Sequence, residues 1–203
     1  MTEYFGSIKD TADLLKKGGV VVAPTDTLYG ILADALNPGA VERVYRIKGR
    51  TPSKPVIVLI PSTDFLDKFG VKPSRKESTL LNRKGITVVI ELPRSVSDRF
   101  RYLHRGTGSI AFRIPENTEL IQLMEATDIP LVAPSANPEG MPPAVDVDSA
   151  FEYFGNAIDG YVRGKTVVEA VPSTIVKIKG DRPEIIREGS ISAEEIEKIL
   201  KKI

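Results

Sequence analysis

The sequence predicts an α/β fold, with a mixed β-sheet and helices packed around it. Three observations support this prediction. Short apolar segments rich in Val and Ile alternate along the chain with segments whose apolar residues recur at helical spacing. Capping residues stand before several of the helical segments. The 203 residues are 41% hydrophobic and 27% charged, which is typical of a folded domain, and we expect residues 1–203 to form one domain.

The first elements are a helix, a buried strand and a second helix. Residues 8–17 are predicted to be helical, because Ser7 can cap them and their apolar residues share one face. Residues 20–23 follow as a strand with apolar side chains on both faces, which is typical of a central strand. The next helix covers residues 38–48, since Asn37 is a favourable N-cap and a glycine follows the last turn.

The later segments continue the alternation. Each strand is an apolar run of strand length, and each helix has a cap or an apolar face. The C-terminal helix begins at a capping box formed by Ser192 and Glu195. The predicted strands lie at residues 56–60, 87–92, 109–114, 131–133, 173–178 and 184–187, and the helices at 74–82, 118–127, 147–154 and 192–203.

The residue inventory excludes several kinds of site. The chain has no cysteine, which excludes disulfides, thiolate zinc sites and cysteine nucleophiles. The only histidine, His104, lies in a charged segment, and we expect it at the surface. The 28 Lys and Arg residues balance 27 Asp and Glu residues, so the chain is not a globally basic nucleic-acid binder. No apolar run approaches the roughly 20 residues of a spanning helix, and no signal peptide is evident, so we expect a cytoplasmic protein.

Two segments near buried strands concentrate polar or basic residues. Residues 24–30 follow the first strand and offer two threonine hydroxyls and a carboxylate to a small polar ligand; alternatively they form an ordinary turn in which Asp26 caps a helix. Residues 43–54 carry five cations and no acid. Lys48 falls at the end of the apolar helix face, which favours an anion site over a solvated basic surface, whereas Arg43 and Arg46 fit the solvated surface.

Two further segments combine small and polar side chains. Along residues 109–115, Ser109 and Arg113 share one strand face with Ala111 between them, which leaves room for a ligand; the alternative is a half-exposed strand. Residues 134–140 concentrate hydrogen-bonding groups after a short strand, or are simply a turn. The chain has no P-loop, no dinucleotide fingerprint and no nucleophile elbow. An enzyme of this composition would work by holding charged reactants together.

These segments, in this order, resemble the YrdC-like family of threonylcarbamoyl-AMP synthases from about residue 17 to residue 189. A single short motif would be weak, but six motifs in the family's order and spacing are specific. The motifs are PTDTLYG at 24–30, KGR at 48–50, SIAFRIP at 109–115, PSAN at 134–137, PST at 172–174 and IREG at 186–189.

The resemblance implies an activity and its partners. Family members condense L-threonine, bicarbonate or CO₂, and ATP with its Mg²⁺ into threonylcarbamoyl-AMP and pyrophosphate. A transferase complex then passes the threonylcarbamoyl group to adenosine 37 of tRNA, and direct binding of tRNA or double-stranded RNA is a further expectation. The implied fold is a twisted sheet with a basic concave cleft, and no protein side chain is expected to bind a metal.

The resemblance also implies a role for each matching residue. Lys48 corresponds to the lysine beside the reacting phosphate and carbamate, and we expect that no buried group depends on it. The positions that hold L-threonine are matched by Thr27, Arg113, Ser135 and Ser173. The nucleotide contacts are matched by Arg50, Lys54, Ser109, Asn137, Val145 and Arg187, with Val145 acting through its backbone if at all.

Departures from the family pattern leave alternatives open. Leu59 stands where some members have a histidine near threonine, and residues 84–87 lack the prolines common before the middle strand. Longer relatives carry a second domain, so the chain resembles the single-domain form.

Two other functions are alternatives to the synthase. One alternative is a double-stranded RNA-binding module without turnover, and the other is a relative that forms a carbamoyl-adenylate for a different acceptor. The sequence identifies no base for the threonine amine.

Overall fold

The computed structural model describes residues 2–165 and 171–203. Within them, ten strands form a sheet in the order β1-β8-β2-β3-β7-β4-β6-β5-β9-β10. The strands are β1 (Glu3–Phe5), β2 (Val21–Pro24), β3 (Tyr29–Asp34), β4 (Ile57–Leu59), β5 (Ile86–Glu91), β6 (Ser109–Arg113), β7 (Leu131–Val132), β8 (Gly160–Val162), β9 (Thr174–Lys179) and β10 (Arg182–Arg187). The α-helices are α1 (Ala12–Lys16), α2 (Pro38–Lys48), α3 (Arg75–Leu81), α4 (Arg94–Ser97), α5 (Arg101–His104), α6 (Thr118–Thr127), α7 (Val147–Phe154) and α8 (Ala193–Leu200), and 3₁₀ turns occupy Ile8–Thr11, Thr63–Phe69, Asp98–Phe100 and Gly155–Ala157.

The sheet is mixed, as the sequence predicts. β8 pairs in parallel with β1 and β2, β4 with β6, and β5 with β9. The pairs β2–β3, β3–β7, β4–β7, β5–β6 and β9–β10 are antiparallel. The register places Leu59 opposite Arg113, so these two side chains lie on the same face of the sheet.

Each face of the sheet packs against its own helices. The larger apolar cluster contains the buried residues of α2, α3, α5, α7 and α8. The smaller cluster lies on the other face and joins α1 and α6 to strand residues such as Leu32 and Leu59. Alternate residues of one strand enter the two clusters, for example Val21 and Val22, which explains why the strand reads as continuously apolar. Within the described ranges, no helix is both long and apolar enough to cross a membrane.

Several elements have the predicted bounds, and several are not foreseen. The helices at 38–48, 118–127 and 147–154 begin and end where the sequence predicts, with side-chain caps at Asn37, Asn117 and Asp146. β1, β3, β8 and the short helices between residues 94 and 104 are missing from the prediction. The helix that Asp26 was suggested to cap does not exist, because residues 25–28 form the turn of a β2–β3 hairpin.

Candidate functional site

The candidate site is a cavity of about 200 Å³ on the sheet face that carries Arg113. It lies among the β2–β3 turn, the ends of β4, β6 and β7, and the segments before β9 and at the end of β10. Ligand pockets for drug-sized molecules usually measure about 300–1,000 Å³, so this cavity suits a small molecule such as an amino acid. It is lined by Thr25, Asp26, Thr27, Leu28, Tyr29, Gly30, Arg50, Val56, Ile57, Leu59, Arg113, Ala133, Pro134, Ser135, Pro172, Ser173 and Arg187.

Arg113 and Asp26 form a buried ion pair at this cavity. The Arg113 Nη2 donates to Asp26 Oδ2 at 2.6 Å, and the two side chains are only 6% and 7% exposed. The same carboxylate oxygen accepts the backbone N–H of Glu116 at 2.9 Å, which fixes it from the other side. Arg113 Nη1 is buried and has no hydrogen-bond partner in the described structure. Because an unpaired buried donor is costly, this nitrogen is a candidate contact for a ligand anion.

Three predicted hydroxyl groups also line the cavity. Thr27 Oγ1 lies 3.3 Å from Thr25 Oγ1 in the hairpin turn. Ser173 Oγ lies 2.7 Å from Thr87 Oγ1, and Ser135 Oγ donates to Asn137 Oδ1 at 2.6 Å. The structure therefore brings together all four predicted threonine contacts, Thr27, Arg113, Ser135 and Ser173, around one small cavity.

Arg50 and Arg187 add two guanidinium groups to the wall. Arg187 Nη2 donates to the carbonyl of Ser173 at 2.8 Å. Burial and the nearby Arg113 cation both lower the pKa of Arg187 from its ordinary value. Arg50 Nη2 donates to the carbonyl of Pro55 at 2.7 Å, while its Nε is buried without a partner in the described residues. A bound anion would relieve the repulsion between these like charges.

Lys48 does not line the cavity, and it has hydrogen-bond partners within the protein. Its side chain is buried, and Nζ donates to the backbone carbonyls of Ser135 and Asn137, the latter at 2.5 Å. Both carbonyls are partly buried, and through them the lysine ties α2 to the loop after β7. The role of Lys48 beside the reacting phosphate and carbamate stays a prediction. Burial, and secondarily the Arg50 cation, lower the pKa of Lys48 to about 8.

The remaining predicted nucleotide contacts lie outside the cavity wall. Lys54 is paired with the carboxylate of Glu139, and the Asn137 amide donates to the carbonyl of Met141 at 2.6 Å. Ser109 is buried at the opposite end of β6 from Arg113, with its Oγ 3.4 Å from Thr107 Oγ1. Val145 is exposed, and its backbone N–H donates to Ser149 Oγ at 3.2 Å. These four residues remain predictions as nucleotide contacts.

His104 is buried, contrary to the surface position that the charged segment suggests. Its Nδ1 accepts the backbone N–H groups of Gly106 and Gly108 at 3.0 and 3.1 Å. Nδ1 must therefore lack a proton, and Nε2 carries the hydrogen that it shares with the Ser97 carbonyl at 3.0 Å. His104 therefore holds the turn before β6 through hydrogen bonds. It is not among the described residues that line the cavity, so the structure gives it no role there as a general base.

The contacts of two acidic residues are not foreseen by the sequence. Asp26 is predicted to meet a polar ligand or to cap a helix, but it pairs with Arg113, and no partner is predicted for Glu139. The Glu139 carboxylate accepts hydrogen bonds from the Lys54 ammonium, the Thr51 N–H and the Thr51 hydroxyl, and these lower the pKa of Glu139 to about 2. The absence of an acid within residues 43–54 is the one signal that pointed to a carboxylate from elsewhere in the chain.

The donor set favours an anion over a metal ion. Among the described residues of the cavity wall, Asp26 is the one carboxylate, and it already accepts two hydrogen bonds. In residues 2–165 and 171–203, no group of three or more His, Asp or Glu side chains is placed to hold a metal. Mg²⁺ fits this site only as a companion of a phosphate ligand, since it binds few carboxylates and keeps several waters.

Comparison with known proteins gives a consistent family match. Residues 13–189 match the model of the Sua5/YciO/YrdC family, which carries the description "Telomere recombination". Threonylcarbamoyl-AMP synthase of Bacillus subtilis is 31% identical over 95% of this chain and 56% of that protein. The protein of the same name from Marinobacter nauticus is 34% identical over 79% of this chain and 85% of its own length. The chain spans little more than half the length of some curated relatives, including the one from Pyrococcus abyssi, of which it covers 58%.

Solved structures show the same architecture. The P. abyssi Sua5 structure complexed with L-threonine matches with a TM-score of 0.87 and 28% identity, covering 100% of this chain and 62% of that one. Escherichia coli YciO matches with a TM-score of 0.81 over 97% of this chain and 100% of its own, and its 21% identity shows the fold alone.

Proposed function

The chain belongs to the Sua5/YciO/YrdC family, and from that premise we propose that it is a threonylcarbamoyl-AMP synthase. In this proposal L-threonine, bicarbonate or CO₂, and ATP condense to threonylcarbamoyl-AMP and pyrophosphate. The relatives' names support the activity, and the threonine complex of a relative with the same fold supports the amino acid. ATP, bicarbonate and the later acceptors are parts of the proposal.

The observation that carries the proposal is the unpartnered Nη1 of Arg113. Asp26 holds the guanidinium group in place through Nη2, and the free donor belongs to a side chain that lines a cavity of amino-acid size. A carboxylate is the natural partner of such a group, because a guanidinium binds it through charge-assisted hydrogen bonds. Hydroxyls of Thr27, Ser135 and Ser173 on the same wall supply partners for a polar side chain and amine.

The proposed chemistry has two bond-forming steps. The threonine amine adds to CO₂, forming the C–N bond of a carbamate and releasing a proton. A carbamate oxygen then attacks the α-phosphorus of ATP, the bond to the bridging oxygen breaks, and pyrophosphate leaves. A carboxylate, a carbamate and a triphosphate must come together, so their mutual repulsion is a main part of the barrier.

The cations around the cavity offset the repulsion between these three anionic groups. Arg50, Arg113 and Arg187 lie in the cavity wall, and Lys48 fixes the loop that carries Ser135. We propose that the triphosphate extends from the cavity towards Lys54, beyond the space that an amino acid fills. Mg²⁺ would accompany ATP as part of the substrate, bound mainly by phosphate oxygens and water, and would neutralise charge on the leaving pyrophosphate.

The product determines the partners we propose. Threonylcarbamoyl-AMP is a mixed anhydride, which water hydrolyses. A transferase complex must therefore bind it before it is hydrolysed and pass the threonylcarbamoyl group to adenosine 37 of tRNA. Direct contact with tRNA or double-stranded RNA is a further part of the proposal. We also propose a cytoplasmic location for the protein.

The test is pyrophosphate release from ATP and bicarbonate, with amino acids supplied one at a time. We expect release with threonine, slower release with serine, and none with valine, which has the shape of threonine but lacks the hydroxyl. A site that pairs a substrate hydroxyl can reject the analogue that lacks it by about 10⁴-fold or more. Equal rates with valine and threonine would refute the polar cavity, and release without any amino acid would favour a different acceptor.

A further inference from the structure

The loop of residues 49–55 carries the two cations that we propose for the phosphates. It leaves α2 at Gly49, whose φ of 57° is left-handed and suits glycine, and it leads into β4. Lys54 N–H donates to the Thr51 carbonyl at 3.1 Å, which closes a turn within the loop. The positions of Arg50 and Lys54 therefore depend on what holds this short loop against the rest of the fold.

Tyr45, in the last turn of α2, binds the loop at both of its ends. Its backbone carbonyl accepts the Arg50 N–H at 3.0 Å, and its hydroxyl donates to the Lys54 carbonyl at 2.6 Å. The Arg50 guanidinium carbon lies 5.7 Å from the centre of the Tyr45 ring. The side chain is only 5% exposed, so its hydroxyl needs the partner that the loop provides. One tyrosine thus contacts the segment next to each cation.

Arg105 fixes the Tyr45 ring from the turn before β6. Its guanidinium carbon lies 3.7 Å from the ring centre, and Nη1 pairs with Glu42 at 2.7 Å. Arg105 has a φ of 53°, and its Nε and Nη2 are buried without partners in the described residues. Non-glycine residues in this backbone region, and unpaired buried donors, both reduce stability and often mark functional positions. This costly arrangement places the Arg105 guanidinium group over the Tyr45 ring.

We propose that Tyr45 is a positioning residue for the nucleotide, which holds residues 49–55 in the shape in which Arg50 and Lys54 meet the phosphates of ATP. Arg105, stacked on the ring, keeps the hydroxyl directed at the Lys54 carbonyl. Tyr45 itself touches no substrate in this proposal. That the ligand is ATP rests on the proposed function, whereas the role of Tyr45 in holding residues 49–55 does not depend on it.

The experiment replaces Tyr45 by phenylalanine, which removes one hydroxyl and keeps the ring. Two measurements follow: the Kd for ATP with Mg²⁺ by calorimetry, and hydrogen exchange of the amides of residues 50, 51, 53 and 54 without substrates. Loss of one hydrogen bond typically costs a factor of about three to ten, so we expect the Kd to rise by that much. We expect faster amide exchange in the loop and an unchanged KM for threonine.

Tyr161→Phe is the matched control. Tyr161 is also a buried tyrosine that donates its hydroxyl to one backbone carbonyl, that of Gly155 at 2.9 Å, but β8 is separated from β4 by three strands. It should lower the melting temperature comparably without changing the Kd for ATP or the loop exchange. Arg105→Lys, which keeps the charge but not the planar stack, should change the Kd in the same direction as Tyr45→Phe.

The outcomes separate this inference from the proposed function. If Tyr45→Phe leaves both the Kd and the loop exchange unchanged, or if Tyr161→Phe changes them equally, the inference is overturned. If the wild type releases no pyrophosphate with threonine, the proposed function fails, and the loop exchange alone decides whether Tyr45 holds residues 49–55.

Discussion

The two ends of the site hold their cations in different ways. At the Arg113 end, formed by Asp26, Thr27, Arg113, Ser173 and Arg187, guanidinium groups stand on or beside strands, and a buried nitrogen of Arg113 has no partner among the residues that the structure describes. At the Lys48 end, formed by Lys48, Lys54, Ser135, Asn137 and Glu139, the ammonium groups already bind oxygen atoms of the protein. The first end is therefore ready for a ligand anion, whereas the second is cross-linked by internal contacts.

This difference separates binding from support. A change at the Arg113 end removes a contact that we assign to the ligand, so it should alter affinity more than stability. A change at Lys48 removes the donor of two backbone carbonyls, so it should alter stability first and activity as a consequence. A change at Lys54 or Glu139 acts on an ion pair with one exposed and one half-buried partner, and such pairs contribute little to folding.

The largest expected effect is that of Lys48→Met. Methionine fills a similar volume but donates no hydrogen bond, so the Asn137 carbonyl loses this donor, whereas the Ser135 carbonyl keeps the Asn137 N–H at 3.0 Å. A buried polar group left unpaired costs about 1–3 kcal/mol, and the partly buried Asn137 carbonyl is the one affected here. Denaturant unfolding should show this loss of stability, and pyrophosphate release should fall with it. Full stability combined with lost turnover would mean that Lys48 acts on the substrate directly and not as a support.

Arg113→Lys should have the next largest effect, and on affinity. Lysine keeps a positive charge for Asp26 but has no second nitrogen for a carboxylate. Hydrogen bonds to charged groups contribute about 1.5–3 kcal/mol, so the KM for threonine should rise about 10- to 100-fold. The melting temperature should change less than in Lys48→Met. An unchanged KM for threonine would remove Arg113 from the binding site and with it the contrast between the two ends.

The sequence predicts the Arg113 end better than the Lys48 end. Thr27, Arg113 and Ser173 each lie in or next to a strand whose position could be predicted, and strand ends bring such residues together. The contacts of Lys48 could not be predicted, because a backbone carbonyl is available at every residue and leaves no pattern in the sequence. The pairing of Arg113 with Asp26 across 87 residues depends on β3, which the sequence did not reveal.

The elements that escaped prediction are short or ambiguous. β1 and β8 have three residues each, too few for an alternating pattern. β3 begins with Tyr29 and Gly30 directly after a polar turn, which reads equally well as a loop. By contrast, α2 has an N-cap, a proline in its first turn and a glycine at its end, and its bounds agree with the prediction at both ends.

The pH dependence of stability sharpens the contrast at Lys48. Its pKa is about 8 in the folded protein and 10.5 when exposed, so between these values the unfolded state binds more protons. Stability should therefore rise with pH through this window. The difference in unfolding free energy between wild type and Lys48→Met should increase by about 1–2 kcal/mol from roughly pH 7.5 to 9.5. A constant difference would show that Lys48 stays protonated and is not penalised by burial.

The smallest expected effect is that of Glu139→Gln. Glutamine keeps an oxygen for the Thr51 N–H but removes the charge that occupies Lys54. If the phosphates of ATP compete with the Glu139 carboxylate for Lys54, removing the negative charge of Glu139 should lower the KM for ATP about two- to threefold. An effect of this size is typical of the interaction between solvent-screened charges. The KM for threonine should not change, because Glu139 is not in the cavity wall. The effect should shrink as salt is added, since exposed charges are screened. A raised KM for ATP would instead show that the Glu139 carboxylate is needed to hold residues 49–55. The contacts at the Lys48 end would then keep the loop rigid, and Lys54 would not move from Glu139 to the phosphates.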